Sequence, residues 1–401
     1  MTKLVGLGFD GCSTVAGKEN GVQAIIKRKY ESVSFFHCAS HKLNLVVNDL
    51  NSLPEIRNTT STVKEIINFF RESILRRRLF PNIPLLCETR WSEKYKSKLL
   101  FYENFIAIKT ALDELAVNKD GNSSSRSRTF QLSCAASKDT FVVCLIIIST
   151  YSSILEPVVN KFVKTNLYTV HQYIKTSLLS ILRMHRTQCD RYFKNIFETI
   201  KKTTIDLDIE IKIPRLSNKQ TNRSNHNVTT LEQYYRVSLF LPYLDSLINS
   251  LESRFTQSNE IPFKISNLHP SEVIKLSKSD FICTLKNIND LYNIDNLIEE
   301  GNTWYDYWNI TENSTKFNEE CNISYYLKDC QFFPSVKKCI MIYMTIPPTT
   351  CTIERSFSTL RCVKTWLAIR SSDYQKIDDL NLIQGVVDEF SKNKRNLQFL
   401  F

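Results

Sequence analysis

The sequence predicts an α/β layer at the N-terminus followed by a mostly helical body. Three observations lead there. The first fifty residues alternate strand-like and helix-like patterns, the chain beyond Pro54 carries long stretches of helical period, and only 8 glycines and 11 prolines interrupt 401 residues.

The opening run Leu4 to Phe9 is apolar and ends at Asp10-Gly11, the pattern of a core strand that stops at a carboxylate and a turn. From Val15 to Lys29, Val22, Ile25 and Ile26 share a face and the cations cluster at the end, as a helix C-terminus favours. Ser32 to Ala39 has the β-branched and aromatic content of a second buried strand, and His41 to Asp49 reads as a second helix. This strand, helix, strand, helix order implies one sheet covered by helices.

Beyond Pro54 the clearest helical stretches are Val63 to Leu79, Trp91 to Leu115, Thr140 to Val163, Val170 to Arg183 and Leu231 to Phe255. Two polar segments, Asn118 to Arg128 and Arg215 to Asn227, are expected as exposed basic loops. The stretch after Phe255 is rich in Asn and Ile and gives only a weak pattern. Helical signals return after Phe333-Pro334, with Pro347-Pro348 opening a helix to about Val363 and a last helix near Ile377 to Phe390. No fixed-period repeat is visible.

With 42% hydrophobic and 23% charged residues the chain has the composition of a globular protein large enough for two or three structural units. A net charge of +11 favours a polyanionic partner through release of counterions. The 12 cysteines contain no CxxC pair, which points to reduced thiols and not to a disulfide framework. Phe141 to Ile148 is the most apolar stretch, but serines and a threonine follow at once, so a buried helix is expected there and no membrane partner.

Three constellations could carry chemistry. Asp10, at the end of a core strand and freed by Gly11, can face a divalent metal, although aspartate at such a place most often caps a turn. Cys38 and His41 form a CxxH pair at a strand-to-helix junction. Structural zinc requires four ligands and no second pair lies at finger spacing, so a packing role outweighs metal binding. Glu354 lies beside the apolar stripe Ile353, Phe357 and Leu360, where a carboxylate is ordinarily a surface group on a packing helix.

Taken together, GLGFDGCSTVAGKENGVQAIIK and FFHCASHKLNLVV strongly resemble the catalytic region of hAT transposases of the MYM-type zinc finger group. IPRLSNKQTNRSNHNVTTLEQYYRVSLFLPYLDSLINSLESRF is similar to that group's helical insertion. IPPTTCTIERSFSTLRCVKTWLAIR is similar to the hAT C-terminal dimerisation motif. The resemblance implies a partial ribonuclease H-like fold over 1–111, a helical insertion over 112–325 and a dimerisation region over 326–401.

The same resemblance assigns Asp10 as the second acid of an Asp-Asp-Glu triad and Glu354 as the third, both candidate ligands of Mg²⁺ or Mn²⁺. It sets Cys38, His41, Arg90 and Trp91 near the active site, and Ile353, Arg355, Phe357, Ser358 and Leu360 in the dimer contact. It further implies a nuclear protein that self-associates and binds DNA. The family's first acid lies on a strand well upstream of the second, and nine residues precede Asp10, so the first carboxylate is expected to be missing. Two-metal phosphodiester chemistry holds cations about 3.5–4 Å apart with shared carboxylates, and a lost ligand opens that cage. The expectation is therefore a transposase-derived protein without cleavage activity that dimerises and binds DNA. A fragment of an active transposase is one alternative; a helical interaction scaffold is another.

Overall fold

The computed structural model describes residues 4–30, 33–79, 84, 86, 91–118, 122–162, 170, 173–213, 230–255, 261–310 and 323–346. Strand β1 (Gly6–Phe9) is followed by a single turn α1 (Ser13–Ala16), helix α2 (Val22–Lys29), strand β2 (Ser34–His37) and helix α3 (Ala39–Asp49). β1 and β2 pair in parallel, with Gly6 opposite Ser34 and Phe9 opposite His37. The crossover through α2 is what a parallel pair needs, because a tight turn cannot reverse the chain direction twice. The strand, helix, strand, helix order is as expected. The expected helix from Val15 is split where the chain passes Gly17 and Gly21.

Pro54 opens helix α4 (Pro54–Arg71), where its missing N–H leaves no bond unmade. Of its buried residues Ile56, Thr59, Val63, Ile66, Ile67, Phe69 and Phe70, the series Ile56, Thr59, Val63, Ile66 and Phe70 repeats every three or four residues and forms one stripe, which Ile67 and Phe69 widen. A short helix α5 (Ile74–Leu79) follows, then α6 (Trp91–Glu103), α7 (Phe105–Val117) and α8 (Ser123–Ala136). The expected Trp91-to-Leu115 helix is thus two helices hinged at Asn104, whose side-chain amide donates to the Leu100 carbonyl. The first six residues of helix α8, Ser123 to Arg128, occupy ground expected as loop: Asn122 caps the helix by accepting from the Ser124 N–H, and beyond that ground Thr129, Leu132, Ser133 and Ala136 are buried.

Helix α9 (Asp139–Phe162) is the centre of the larger core. By length and composition it could cross a membrane, but 72% of that stretch is buried within the protein. Val142 to Ile148 are buried without a break, as expected for a helix packed on all sides. Helices α3, α4, α6 and α8 surround it, as does α11 (Cys189–Asp206), which follows α10 (Leu179–Thr187). The expected Leu231-to-Phe255 helix is α12 (Leu231–Tyr235) and α13 (Leu241–Phe255) joined through a π turn, Arg236–Phe240, and α13 packs on α3.

The weakly patterned stretch is also helical. It holds α14 (Ile261–Ser266), α15 (Pro270–Val273), α16 (Lys278–Tyr292), α17 (Leu297–Asn309), a 3₁₀ segment Ile323–Phe332 and α18 (Pro334–Thr345). These build a second core around Trp304, whose indole N–H donates to the Leu268 carbonyl at 3.0 Å and whose ring meets Phe333 edge-on. Phe36 of β2 belongs to this second core, while Ala39 and Leu43 of α3 belong to the first. The strand pair is thereby held between the two.

Candidate functional site

The site forms where β1 ends. Alternation along β2 buries Ser34 and Phe36 and leaves Phe35 and His37 on the other side, and the parallel register sets His37 across from Phe9, next to Asp10. The imidazole Nε2 of His37 lies 3.0 Å from the Asp10 carbonyl oxygen. The Asp10 carboxylate accepts from the Cys12 backbone N–H at 3.1 Å. Between them Gly11 takes φ +78°, a conformation that L side chains rarely adopt, and a Cβ there would sit 2.5 Å from a carbon of the His37 ring. Gly11 is required twice over, for its backbone angle and for the space beside His37.

His41, one turn into α3, stacks its ring on His37 with 4.9 Å between centroids. Cys38 is fully buried, and its N–H donates to the Phe9 carbonyl, which ties the end of β2 to the end of β1. The CxxH pair therefore straddles the junction: Cys38 fills the space under the strands and His41 buttresses His37.

Electrostatics follow from this arrangement. Burial alone would raise the Asp10 pKa. Hydrogen bonds from Cys12 and the proximity of His41 outweigh burial and leave the carboxyl below its ordinary value, hence charged. For His37, burial and then repulsion from His41 and Lys42 drop the pKa to about 4, against which the Asp10 carbonyl and charge pull only weakly. A neutral His37 at pH 7 donates through Nε2–H to the Asp10 carbonyl, which fixes the tautomer.

Asp10, Cys38 and His41 are thus brought to one junction, and Trp91 opens α6. Arg90, Ile353, Glu354, Arg355, Phe357, Ser358 and Leu360 lie outside the described residues. Among the described residues no group of three or more His, Cys, Asp or Glu side chains is placed to hold a metal ion. Asp10 offers one hard oxygen ligand of the kind Mg²⁺ and Mn²⁺ take, while its neighbours offer imidazole and thiol, which suit other metals. The described residues by themselves do not fit a Mg²⁺ or Mn²⁺ site.

Sequence reasoning singled out Asp10 and the CxxH pair but not His37, the residue that holds the Asp10 turn in place. The signal was available in the alternation of SVSFFHCA: with Phe36 inward, His37 must face the side on which the preceding strand ends.

No family model matches the sequence. The chain is 22% identical to the "52 kDa repressor of the inhibitor of the protein kinase" of Homo sapiens over an alignment of 413 positions, and 22% identical to the protein of the same name from Mus musculus over 415. Each alignment covers 96% of this chain and 54% of the relative, so the chain spans about half the length of the curated relatives it matches.

Proposed function

We propose that this chain is a transposase-derived nuclear protein that acts by associating with DNA and with a second copy of itself, and not by cutting and joining strands. The observation that carries the reading is the extent of its similarity to two proteins named as repressors, which covers 96% of this chain. In this reading β1, α2, β2 and α3 are the remnant of a ribonuclease H-like sheet, the Asp10 turn is a fixed structural corner, and the region from Pro347 to Phe390 supplies the dimer contact. The net charge of +11 supplies non-specific attraction to phosphates.

The test uses the purified chain. Light scattering after size exclusion should give a dimer, binding to a 30-base-pair duplex should weaken steeply between 50 and 200 mM salt, and a supercoiled plasmid with Mn²⁺ should stay intact. Nicking or joining that disappears with Asp10→Ala would overturn the reading.

One observation favours a second reading, a fragment of an active transposase. The Asp10 carboxyl is held charged at the end of strand β1, the state and the place that a metal ligand needs. There Asp10 and Glu354 would share Mg²⁺ or Mn²⁺, and the plasmid assay separates the two.

A further inference from the structure

Helix α5, like α2, buries none of its residues. Ile74 is 77% exposed, Leu75 73% and Leu79 50%, and between them stand Arg76, Arg77 and Arg78. Three large apolar side chains in six residues, each half or more exposed, forgo much of the gain of burial unless something covers them.

The surroundings set the charge of what could do so. The Arg76 guanidinium lies 3.9 Å from the Phe69 ring centroid, and Arg128, arriving from α8, lies 5.4 Å from the same ring. Both reach Glu72, Arg128 at 2.6 Å and Arg76 at 3.9 Å. One carboxylate is thus shared by two guanidinium groups, while Arg77 and Arg78 remain exposed on α5 itself. Two arginines thus share Glu72, and two more stand on α5 among Ile74, Leu75 and Leu79.

From this we infer that α5 and the adjoining Arg128 form a docking surface for an amphipathic polypeptide segment, one with an apolar stripe flanked by aspartates and glutamates. Charge complementarity calls for an anionic occupant. The apolar centre decides against nucleic acid, because phosphate and sugar contacts give isoleucine and leucine side chains nothing to bury against, whereas arginine beside apolar anchors is the composition of protein–protein contacts. Arg76 and Arg128 are already fixed by Phe69 and Glu72, so they lose little freedom on binding. The inference is independent of the DNA-associating role proposed above.

The probe is a fluorescein-labelled 18-residue helical peptide with Leu and Phe on one face and Asp and Glu along both edges, titrated by anisotropy against the full chain. Saturable binding is expected. Ile74→Ser/Leu75→Ser should weaken it at least about tenfold, as loss of central apolar anchors does. Arg77→Gln/Arg78→Gln should weaken it several-fold and flatten its salt dependence. All four positions are exposed, so the thermal unfolding of both variants should match that of the unaltered chain. Absence of saturable binding, or full affinity in the Ile74→Ser/Leu75→Ser variant, would overturn the inference. So would binding of a duplex oligonucleotide or of vesicles rich in phosphatidylserine that falls with Ile74→Ser/Leu75→Ser while peptide binding does not. Duplex binding that is indifferent to Ile74→Ser/Leu75→Ser leaves the docking surface standing and bears only on the DNA-associating role.

Discussion

Gly11→Ala tests the geometry of the Asp10 turn most directly. Gly11 sits at φ +78°, and placing a non-glycine residue in the left-handed region costs about 1–2 kcal/mol. The new methyl would also stand 2.5 Å from His37 Cε1 and 2.6 Å from Nε2, so the ring must swing away from the Asp10 carbonyl. Loss of that hydrogen bond adds about 0.5–1.5 kcal/mol. Together the substitution should destabilise the chain by about 1.5–3.5 kcal/mol. Urea unfolding followed by tryptophan fluorescence is the suitable assay, since Trp304 and Trp308 lie in the core that Phe36 of β2 shares. The two contributions separate in a double-mutant cycle. In a His37→Ala background the ring is gone, and Gly11→Ala should then cost only the backbone part, about 1–2 kcal/mol. A cost of Gly11→Ala below about 0.5 kcal/mol, or an equal cost with and without the His37 ring, would refute the reasoning.

Further outcomes follow from the same contacts. His37 titrates at about 4 when folded and near 6.5 when unfolded, so between those values the unfolded chain binds a proton that the folded chain refuses. The contribution of His37 is fully present above pH 6.5 and is lost as pH falls toward 4, by about 1–2 kcal/mol once its partial exposure is allowed for; urea midpoints across that range should fall less steeply in His37→Gln. Trp304 is fully buried, and Trp304→Ala should cost about 3–5 kcal/mol by calorimetry or urea unfolding. Lys109 is 8% exposed, pairs with Asp113 at 2.5 Å and donates to Ser133; Asp113→Ala leaves that ammonium with one neutral partner and should cost about 1–3 kcal/mol, measured by the same unfolding curves.

The legible parts of the fold are those where local pattern and burial agree. The β1–α2–β2–α3 order showed in the sequence because each element carries its own period, and α9 showed because an uninterrupted apolar run can only be buried. The first six residues of helix α8, Ser123 to Arg128, have the composition of a linker and read as loop. Its decisive features are the Asn122 cap and a buried face that begins only at Thr129. The region from Ile261 to Asn309 gives only a weak pattern in sequence, yet it is helical, and its left-handed asparagines mark the helix ends. Asn293 at φ +45° ends α16 and Asn296 at φ +55° precedes α17, and the rest of those helices is ordinary amphipathic sequence.

What the sequence could not show is which helices cover the strands. The Tyr292 hydroxyl, at the end of α16, lies 3.2 Å from both the Val5 carbonyl and the Ser34 hydroxyl, so one side chain from the C-terminal helices bonds to both strands. Phe36 and Ile346 both enter the Trp304 core, and a Cβ at Gly6 would make ordinary contact with each, at 3.4 and 3.6 Å. These contacts join positions nearly three hundred residues apart, and no local period encodes them. Their consequence is mechanical: the Asp10 turn is braced on one side by α3 of the first core and, through β2 and Phe36, by the second. A change in the Trp304 core should therefore reach Asp10 without touching it, and Trp304→Ala should speed hydrogen exchange at the Cys12 amide, whose bond to the Asp10 carboxylate depends on β1 keeping its place. Unchanged exchange at Cys12 in a folded Trp304→Ala chain would mean that the turn is held by α3 and His37 alone.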